Sequence, residues 1–320
     1  MSQFSISHSQ FPILNSKFFI PNSQFSMKPL QITKLFVFSL GIFCLCSTPA
    51  CAQTTPTTSQ NEQQQLNKQG ILQELTKADV VYLGETHNST LDHQAQLEIL
   101  QALHQQNPKI AVAMEMFQRP FQEIIDQYLA GEITEAELIE QTEYEQRWGF
   151  PWEYYAPLLH FAKANQLPVL ALNTPTEITR KVAREGLESL TVAEYQDIPP
   201  ASEIYTDNAS YRQLIQEVYE AHAQAGHGNS DSFERFFTTQ VLWDETMAQK
   251  IAQFYQANPD YQVVVIAGRG HIIYGYGIPS RVARRLQEHQ LIQRLVLFGV
   301  SADELSNTGE GIADYWWQHQ

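Results

Sequence analysis

Short apolar runs recur along the chain and are separated by stretches with helical periodicity. The runs are rich in Val, Ile, Leu and Ala and do not alternate with polar residues, which is typical of parallel strands covered on both faces. Five strands are predicted, at residues 80–83, 110–114, 168–172, 262–267 and 294–298, with helices at 91–104, 154–165 and 176–184 between them. This alternation indicates βαβ units. The pattern therefore predicts an α/β fold with a mostly parallel sheet flanked by helices.

Two connections, residues 117–167 and 174–261, are longer than a crossover helix requires. Both are dominated by helical patterns. The second contains a long amphipathic stretch, in which apolar residues from Phe233 to Phe254 return at intervals of three and four. We expect these insertions to act as a helical lid over the sheet, within a single domain that spans residues 70–317.

The first 52 residues have the pattern of an export signal. Lys28 and Lys34 precede an apolar run at 35–46, and Ala50-Cys51-Ala52 matches a signal peptidase site. The run is too short to cross a bilayer as a mature helix. The repeated Ser-Gln-Phe before Met27 makes Met27 a candidate start. The sequence predicts an exported protein, in the periplasm or attached to the envelope membrane by a lipid on Cys51.

Residues 53–69, rich in Thr, Gln and Asn, are predicted to form a flexible linker. All three cysteines lie in the predicted leader, so the remaining chain forms neither a disulfide nor a thiolate metal site. The chain has a formal net charge of −15. Because such an acidic body repels phosphate backbones, we expect no nucleic-acid partner.

Polar or ionisable residues follow four successive strands of the predicted sheet. Glu85 and His87 follow the first, Glu115 the second, Asn173 the third and His271 the fourth. In open parallel sheets, ligands bind at the carboxyl ends of the strands. The two turns Gly84-Glu85-Thr86-His87 and Gly268-Arg269-Gly270-His271 should thus occupy equivalent strand ends, with Glu115 and Asn173 contributed by the strands between them.

The composition of this predicted site leaves two chemistries open. Glu85, His87, Glu115 and His271 are suitable ligands for a divalent metal such as zinc, manganese or iron. The same groups without a metal are suited to general acid and base catalysis. His93 is expected on the first turn of the helix that the Asn88-Ser89-Thr90 run begins.

Aromatic residues are concentrated between Tyr144 and Tyr155. One interpretation is that they pack the insertion onto the sheet, and the other is a flat pocket for a large apolar ligand. In the second case, a phenolate from Tyr144, Tyr154 or Tyr155 is a candidate ligand of ferric haem. His93 and Arg269 are then candidates for contacts to the haem.

Several motifs of the chain resemble those of a known family. The motifs are Gly84-Glu85-Thr86-His87 with Asp92-His93, Met114-Glu115-Met116, Tyr155-x-Pro157-Leu158-Leu159, Ala171-Leu172-Asn173, Gln240-x-x-x-Asp244 through Met247-Ala248, Gly268-Arg269-Gly270-His271, and Ala313-Asp314-Tyr315. Together they resemble the ChaN family of haem-binding, iron-regulated lipoproteins. The resemblance implies a bacterial envelope protein in haem or iron uptake, with a homodimer that places two haems face to face, a tyrosine as iron ligand, and a haem-transfer partner.

The ChaN family in turn resembles the wider Tiki and TraB group. There, two Gly-x-x-His motifs and glutamates are thought to form the site of metal-dependent peptidases. This resemblance implies an alternative function, a metal-dependent hydrolase of peptide or ester bonds that uses Glu85, His87, Glu115 and His271. A third possibility is a scaffold that retains these residues for packing and binds neither haem nor metal.

Overall fold

The computed structural model describes residues 67–224, 232–299 and 311–319. The predicted export signal, the candidate start at Met27 and the candidate lipid site at Cys51 lie outside the described residues. Helix α1 (Lys68–Leu75) begins within the segment predicted to be a linker, and Asn67 caps it by accepting a hydrogen bond from the Gly70 amide.

Six strands form one sheet in which every pairing is parallel. In chain order they are β1 (Val80–Glu85), β2 (Ile110–Gln118), β3 (Val169–Asn173), β4 (Gln262–Gly268), β5 (Gln293–Phe298) and β6 (Tyr315–Trp317). The predicted α/β fold with a parallel sheet is confirmed. Strand β6 is not predicted from the sequence, because a run of three residues is too short to indicate a strand.

The strand order is β3-β2-β4-β1-β5-β6. The strands that carry the two Gly-x-x-His turns, β1 and β4, are therefore direct neighbours, and Glu85 is in register with Gly268. The expectation that the strands of Glu115 and Asn173 lie between them is wrong. Strands β2 and β3 lie beyond β4 because the chain crosses over after β3, so that β4 inserts between β1 and β2.

Nine further helices of four or more residues connect these strands within the described residues. They are α2 (Thr90–Gln106), α3 (Gln122–Ala130), α4 (Glu135–Gln141), α5 (Tyr144–Arg147), α6 (Ala156–Ala164), α7 (Thr176–Glu185), α8 (Ala209–Gln224), α9 (Phe233–Ala257) and α10 (Ile278–Arg285). The three helices expected at 91–104, 154–165 and 176–184 correspond to α2, α6 and α7. Ser89 caps α2 as the sequence indicates.

The two faces of the sheet are covered by different parts of the chain. Val81 and Leu83 of β1 point into a core formed with α2 and with the first insertion, which includes α6. Val80 and Tyr82 point into a second core, formed with α9 and α10. The second insertion is thus only partly a lid. The half of α9 that contains Met247 and Ile251 packs on the sheet, and its other half packs against α8 in a separate apolar cluster.

The C-terminal segment is fastened to the first Gly-x-x-His turn. His319 Nε2 lies 2.9 Å from Asp92 Oδ1, and Asp92 Oδ2 accepts a hydrogen bond of 2.8 Å from the Thr86 amide. Ser89 also donates to Asp92 at 2.6 Å. Among the described residues, no helix has the length and apolar character needed to cross a bilayer.

Candidate active site at the carboxyl ends of the strands

Glu85, the last residue of β1, is buried beneath the first turn. Its Oε1 accepts a hydrogen bond of 2.6 Å from the Tyr155 hydroxyl and lies 2.8 Å from His87 Nδ1. Its Oε2 accepts a hydrogen bond of 2.6 Å from Gln96 Nε2. A buried carboxylate is tolerated only when its oxygens are hydrogen bonded, and here both are. Glu85 therefore fixes the orientation of the His87 ring.

The His87 ring packs against the second turn. A Cβ atom at Gly268 would lie 2.7 Å from His87 Nε2, so this glycine is required for the approach of the two turns. Trp148 and Phe150 contact the other sides of the ring, with centroids 5.0 and 4.9 Å away. Burial lowers the pKa of His87, but the hydrogen bond to Glu85 and the charges of Glu115 and Glu85 outweigh it and raise the pKa.

His271 of the second turn is held by helix α9. Its Nδ1 lies 2.7 Å from Asp244 Oδ1 and 3.1 Å from Gln240 Nε2. Asp244 is fully buried, and its Oδ2 accepts a hydrogen bond of 2.5 Å from the Tyr211 hydroxyl of α8. Both turns therefore contain the same hydrogen-bonded series of side chains: a buried tyrosine, a buried carboxylate and an imidazole.

Glu115 of β2 lies next to both imidazoles. Its Oε2 accepts a hydrogen bond of 2.7 Å from the Gly268 amide, and its Oε1 lies 3.4 Å from His271 Nε2. Burial raises the pKa of Glu115, but the charge and hydrogen bond of His271 prevail and lower it to about 2. Conversely, burial lowers the pKa of His271, but Glu115 and Asp244 raise it to about 10. At neutral pH the second turn therefore carries an imidazolium paired with two carboxylates.

These groups form the floor of a cavity of about 180 Å³, more than ten times the ~15 Å³ that one water molecule needs. Helices α7, α8 and α9 and the segment after α5 form its walls. The apolar lining comes from Trp148, Phe150, Ala183, Ile215, Val218, Phe236 and Trp243, and three arginines, Arg147, Arg180 and Arg269, line it as well. The cavity thus combines acid–base groups, apolar surface and positive charge.

Residues 71–282 match the family described as haem-binding uptake, Tiki superfamily, ChaN. The chain belongs to the ChaN family. Its fold is similar to that of ChaN of Campylobacter jejuni, whose structure was described for cofacial haem binding, with a TM-score of 0.58 and 18% identity over 78% of this chain and 91% of that one. At this identity the likeness shows the fold alone.

A plant protein is also similar. The chloroplastic protein RETICULATA-RELATED 5 of Arabidopsis thaliana is 26% identical over 268 residues, which cover 78% of this chain and 35% of that protein. The chain therefore spans about a third of the length of this relative.

Of the haem candidates named from the ChaN resemblance and the aromatic cluster, the tyrosines and His93 lie together in one apolar cluster, where Tyr154 and Tyr155 both contact the His93 ring, whereas Arg269 lines the cavity. Tyr144 is buried against Phe117 and Trp152, and Tyr155 is buried with its hydroxyl bonded to Glu85. Tyr154 is partly exposed and stacks on the buried His93 ring, with centroids 4.8 Å apart. The described residues that line the cavity include no tyrosine and not His93, whereas they include Arg269.

The other site candidates come together as expected. Glu85, His87, Glu115, Asn173 and His271 all line the cavity. Asn173 acts on Glu115 through the backbone, because its Nδ2 donates to the Glu115 carbonyl at 2.9 Å. The site is thus assembled from four neighbouring strands: Glu85 and Asn173 end β1 and β3, and His271 follows β4. Glu115, predicted to follow the second strand, lies inside β2, directly after the last residue that pairs with β4.

Sequence reasoning assigned no role to Asp244, Gln240 and Tyr211. The first two lie four residues apart on the buried side of α9 among aromatic residues, and polar residues at such positions are a signal for a site or a buried network. Tyr211 carries no comparable signal, since one tyrosine on an amphipathic helix is usually a packing residue.

The metal-binding alternative has no support in the geometry. Among the described residues, no group of three or more His, Cys, Asp or Glu side chains is placed to hold a metal ion. The Nδ1 atoms of His87 and His271 are each paired with a carboxylate, and His87 Nε2 faces Gly268.

Proposed function

We propose that this protein is an exported haem-binding protein that handles haem or iron in the cell envelope. The observation that supports this proposal is the match of residues 71–282 to the haem-binding ChaN family. ChaN of Campylobacter jejuni, which shares the fold, binds haem cofacially. The pattern of an export signal in the first 52 residues is consistent with this location.

Of the three candidate tyrosines, Tyr154 fits an iron ligand best. Burial raises the pKa of Tyr144 and of Tyr155 far above the usual range, which disfavours the phenolate that ferric haem requires. Tyr154 is partly exposed and belongs to an aromatic cluster with His93 and Trp152, which offers flat apolar surface to a porphyrin ring. Tyr154 therefore would hold haem at the surface of this cluster, outside the cavity.

Titration of the purified protein with hemin tests this proposal. We expect a saturable Soret band, and Tyr154→Phe should weaken hemin binding at least tenfold. Tyr195→Phe, which changes a partly buried tyrosine in a distant turn, is the matched control and should leave the titration unchanged. Absence of saturable binding contradicts haem binding, and equal behaviour of the two variants contradicts the role of Tyr154.

A second candidate function is supported by a separate observation, the two tyrosine–carboxylate–imidazole chains that meet at Glu115. This arrangement is suited to metal-independent hydrolysis of an ester or amide by general acid–base catalysis. His87, oriented by Glu85, accepts a proton from the attacking water. His271, which is protonated at neutral pH, donates a proton to the leaving group or stabilises the oxyanion.

Hydrolysis of a panel of aryl esters by the purified protein tests this second function. We expect His87→Asn and His271→Asn each to lower the rate at least a hundredfold, since acid–base residues typically contribute 10²–10⁴-fold. His289→Asn, an exposed histidine outside the cavity, is the control. A rate that these variants leave unchanged contradicts the hydrolase, whatever the result of the hemin titration.

A further inference from the structure

Helix α2 holds the backbone of the first Gly-x-x-His turn at two points. Asp92 Oδ2 accepts a hydrogen bond of 2.8 Å from the Thr86 amide, and His93 Nε2 lies 3.0 Å from the carbonyl oxygen of His87. Because a carbonyl oxygen accepts and cannot donate, Nε2 of His93 carries a proton and donates it to this bond. The Asp92-His93 motif, which stands out in the sequence, thereby fixes the last two residues of the turn.

The other nitrogen of the His93 ring faces two oxygen atoms. Its Nδ1 lies 3.2 Å from Gln96 Oε1 and 3.5 Å from Glu85 Oε2. The orientation of the Gln96 amide is set by Glu85, because Gln96 Nε2 donates to Glu85 Oε2 at 2.6 Å and so leaves Oε1 towards His93. Since an amide oxygen and a carboxylate oxygen both accept, these partners assign a second proton to the ring, on Nδ1.

A histidine that donates through both ring nitrogens is a cation, and here it is a buried one. The side chain of His93 is 4% exposed, and a buried charge is stable when an opposite charge is close to it. Glu85 supplies that charge, and the Tyr154 ring, which stacks on the imidazole with centroids 4.8 Å apart, also favours a cation. In a Glu85→Gln variant the ring can become neutral by releasing its Nδ1 proton.

His93 acts on His87 by two routes. The first is the hydrogen bond from His93 Nε2 to the His87 carbonyl, which holds the backbone. The second passes through side chains: His93 Nδ1 donates to Gln96, Gln96 donates to Glu85, and Glu85 Oε1 lies 2.8 Å from His87 Nδ1. The main chain of His87 and the carboxylate that orients its ring are therefore both held by one buried imidazole.

We propose that His93 is the positioning residue of the first turn and donates a hydrogen bond through each of its ring nitrogens. It keeps Nδ1 of His87 on Glu85 and leaves Nε2 of His87 turned towards Gly268 at the cavity floor. The described residues that line the cavity do not include His93, so it acts through His87. The use of His87 as a base rests on the hydrolytic function proposed above, whereas the positioning of its ring does not.

The protons on the His93 ring can be located by NMR without substrate or hemin. Long-range proton–nitrogen correlation spectra of the full chain, made with isotope-labelled histidine, distinguish a ring with one proton from a ring with two. The signals that disappear in His93→Gln assign the ring. We expect both nitrogens of His93 to be protonated at neutral pH. A spectrum in which either nitrogen lacks its proton overturns the proposal, whatever the results of hemin titration and ester hydrolysis.

Variants of His93 separate positioning from a general effect on stability. The readout is the rate at which the His87 Nδ1 proton exchanges with water, since exchange requires local opening of its bond to Glu85. We expect His93→Leu to raise this rate at least about tenfold, and His93→Gln, which keeps a donor for the His87 carbonyl, to raise it less. His104→Leu is the matched control on the same helix, a partly buried histidine against Phe161, and should leave the rate unchanged. Equal rates in His93→Leu and His104→Leu overturn the proposal, even if the Tm of the first is lower. If His93→Leu does not fold, His93→Gln is compared with His104→Gln, and equal rates again overturn it.

Discussion

The two Gly-x-x-His turns contain the same series of side chains, tyrosine, carboxylate and imidazole, but these come from different parts of the protein. In the first turn, Glu85 is two residues from His87 and belongs to a central strand. In the second, His271 depends on Asp244 of α9, and Asp244 depends on Tyr211 of α8. In the first turn the imidazole and its carboxylate are therefore close in the sequence, and only Tyr155 comes from an insertion, the first one. The second turn is completed only when the second insertion packs in place.

The two turns also differ in charge. His271 contacts carboxylates on both sides, Asp244 at 2.7 Å and Glu115 at 3.4 Å, and its pKa rises to about 10. The nearest carboxylate to His87 is Glu85, and Glu115 acts on it through charge alone. This difference assigns the acid role to the second turn and the base role to the first, if the cavity is catalytic.

The largest expected effect comes from the carboxylates that hold the imidazoles. Asp244→Asn removes a fully buried charge that is paired with His271, so we expect the free energy of unfolding to fall by about 3–5 kcal/mol. Glu85→Gln, the matched change in the first turn, should cost about 1–3 kcal/mol, because two of the groups that bond to Glu85, Tyr155 and Gln96, are neutral. Urea unfolding measures both. Equal costs would show that the two turns are energetically equivalent.

A smaller effect is expected at the glycine that separates the turns. Gly268→Ala places a methyl group 2.7 Å from His87 Nε2, and overpacking of this kind costs about 1–3 kcal/mol. The clash should largely disappear in a His87→Ala background. A double-mutant cycle with urea unfolding measures this coupling, and strictly additive costs would contradict the contact between the turns.

A change of pH by one unit should change the free energy of unfolding less than any of these substitutions. Folding raises the pKa of His271 from its usual value of about 6.5 to about 10, so its contribution to stability is complete below pH 6.5 and is lost as the pH rises towards 10. The loss should not exceed about 1.4 kcal/mol per pH unit. Glu115 acts in the opposite range, because its lowered pKa makes its contribution disappear between about pH 4.5 and 2. Urea unfolding between pH 6.5 and 10 should show the loss in the parent protein but not in His271→Asn.

The sheet and the floor of the cavity could be predicted from the sequence because their signals are local. Apolar runs mark buried strands. Glu115 and Asn173 directly follow two of them, and Glu85 follows a third after one glycine. The pairing of β1 with β4 could not be predicted, since strand order depends on where each crossover passes over the sheet. The partnership of Asp244 and Tyr211 with His271 depends on how α8 and α9 pack, which their own periodicity does not encode.

The hydrogen bond between His319 and Asp92 has a practical consequence for protein engineering. Asp92 also holds the amide of Thr86, so the last described residues are coupled to the backbone of the first turn. A fusion partner or affinity tag placed directly after His319, or deletion of residues 315–319, would act on the position of His87. Probes and tags intended to report on the native cavity are better attached on the N-terminal side of α1.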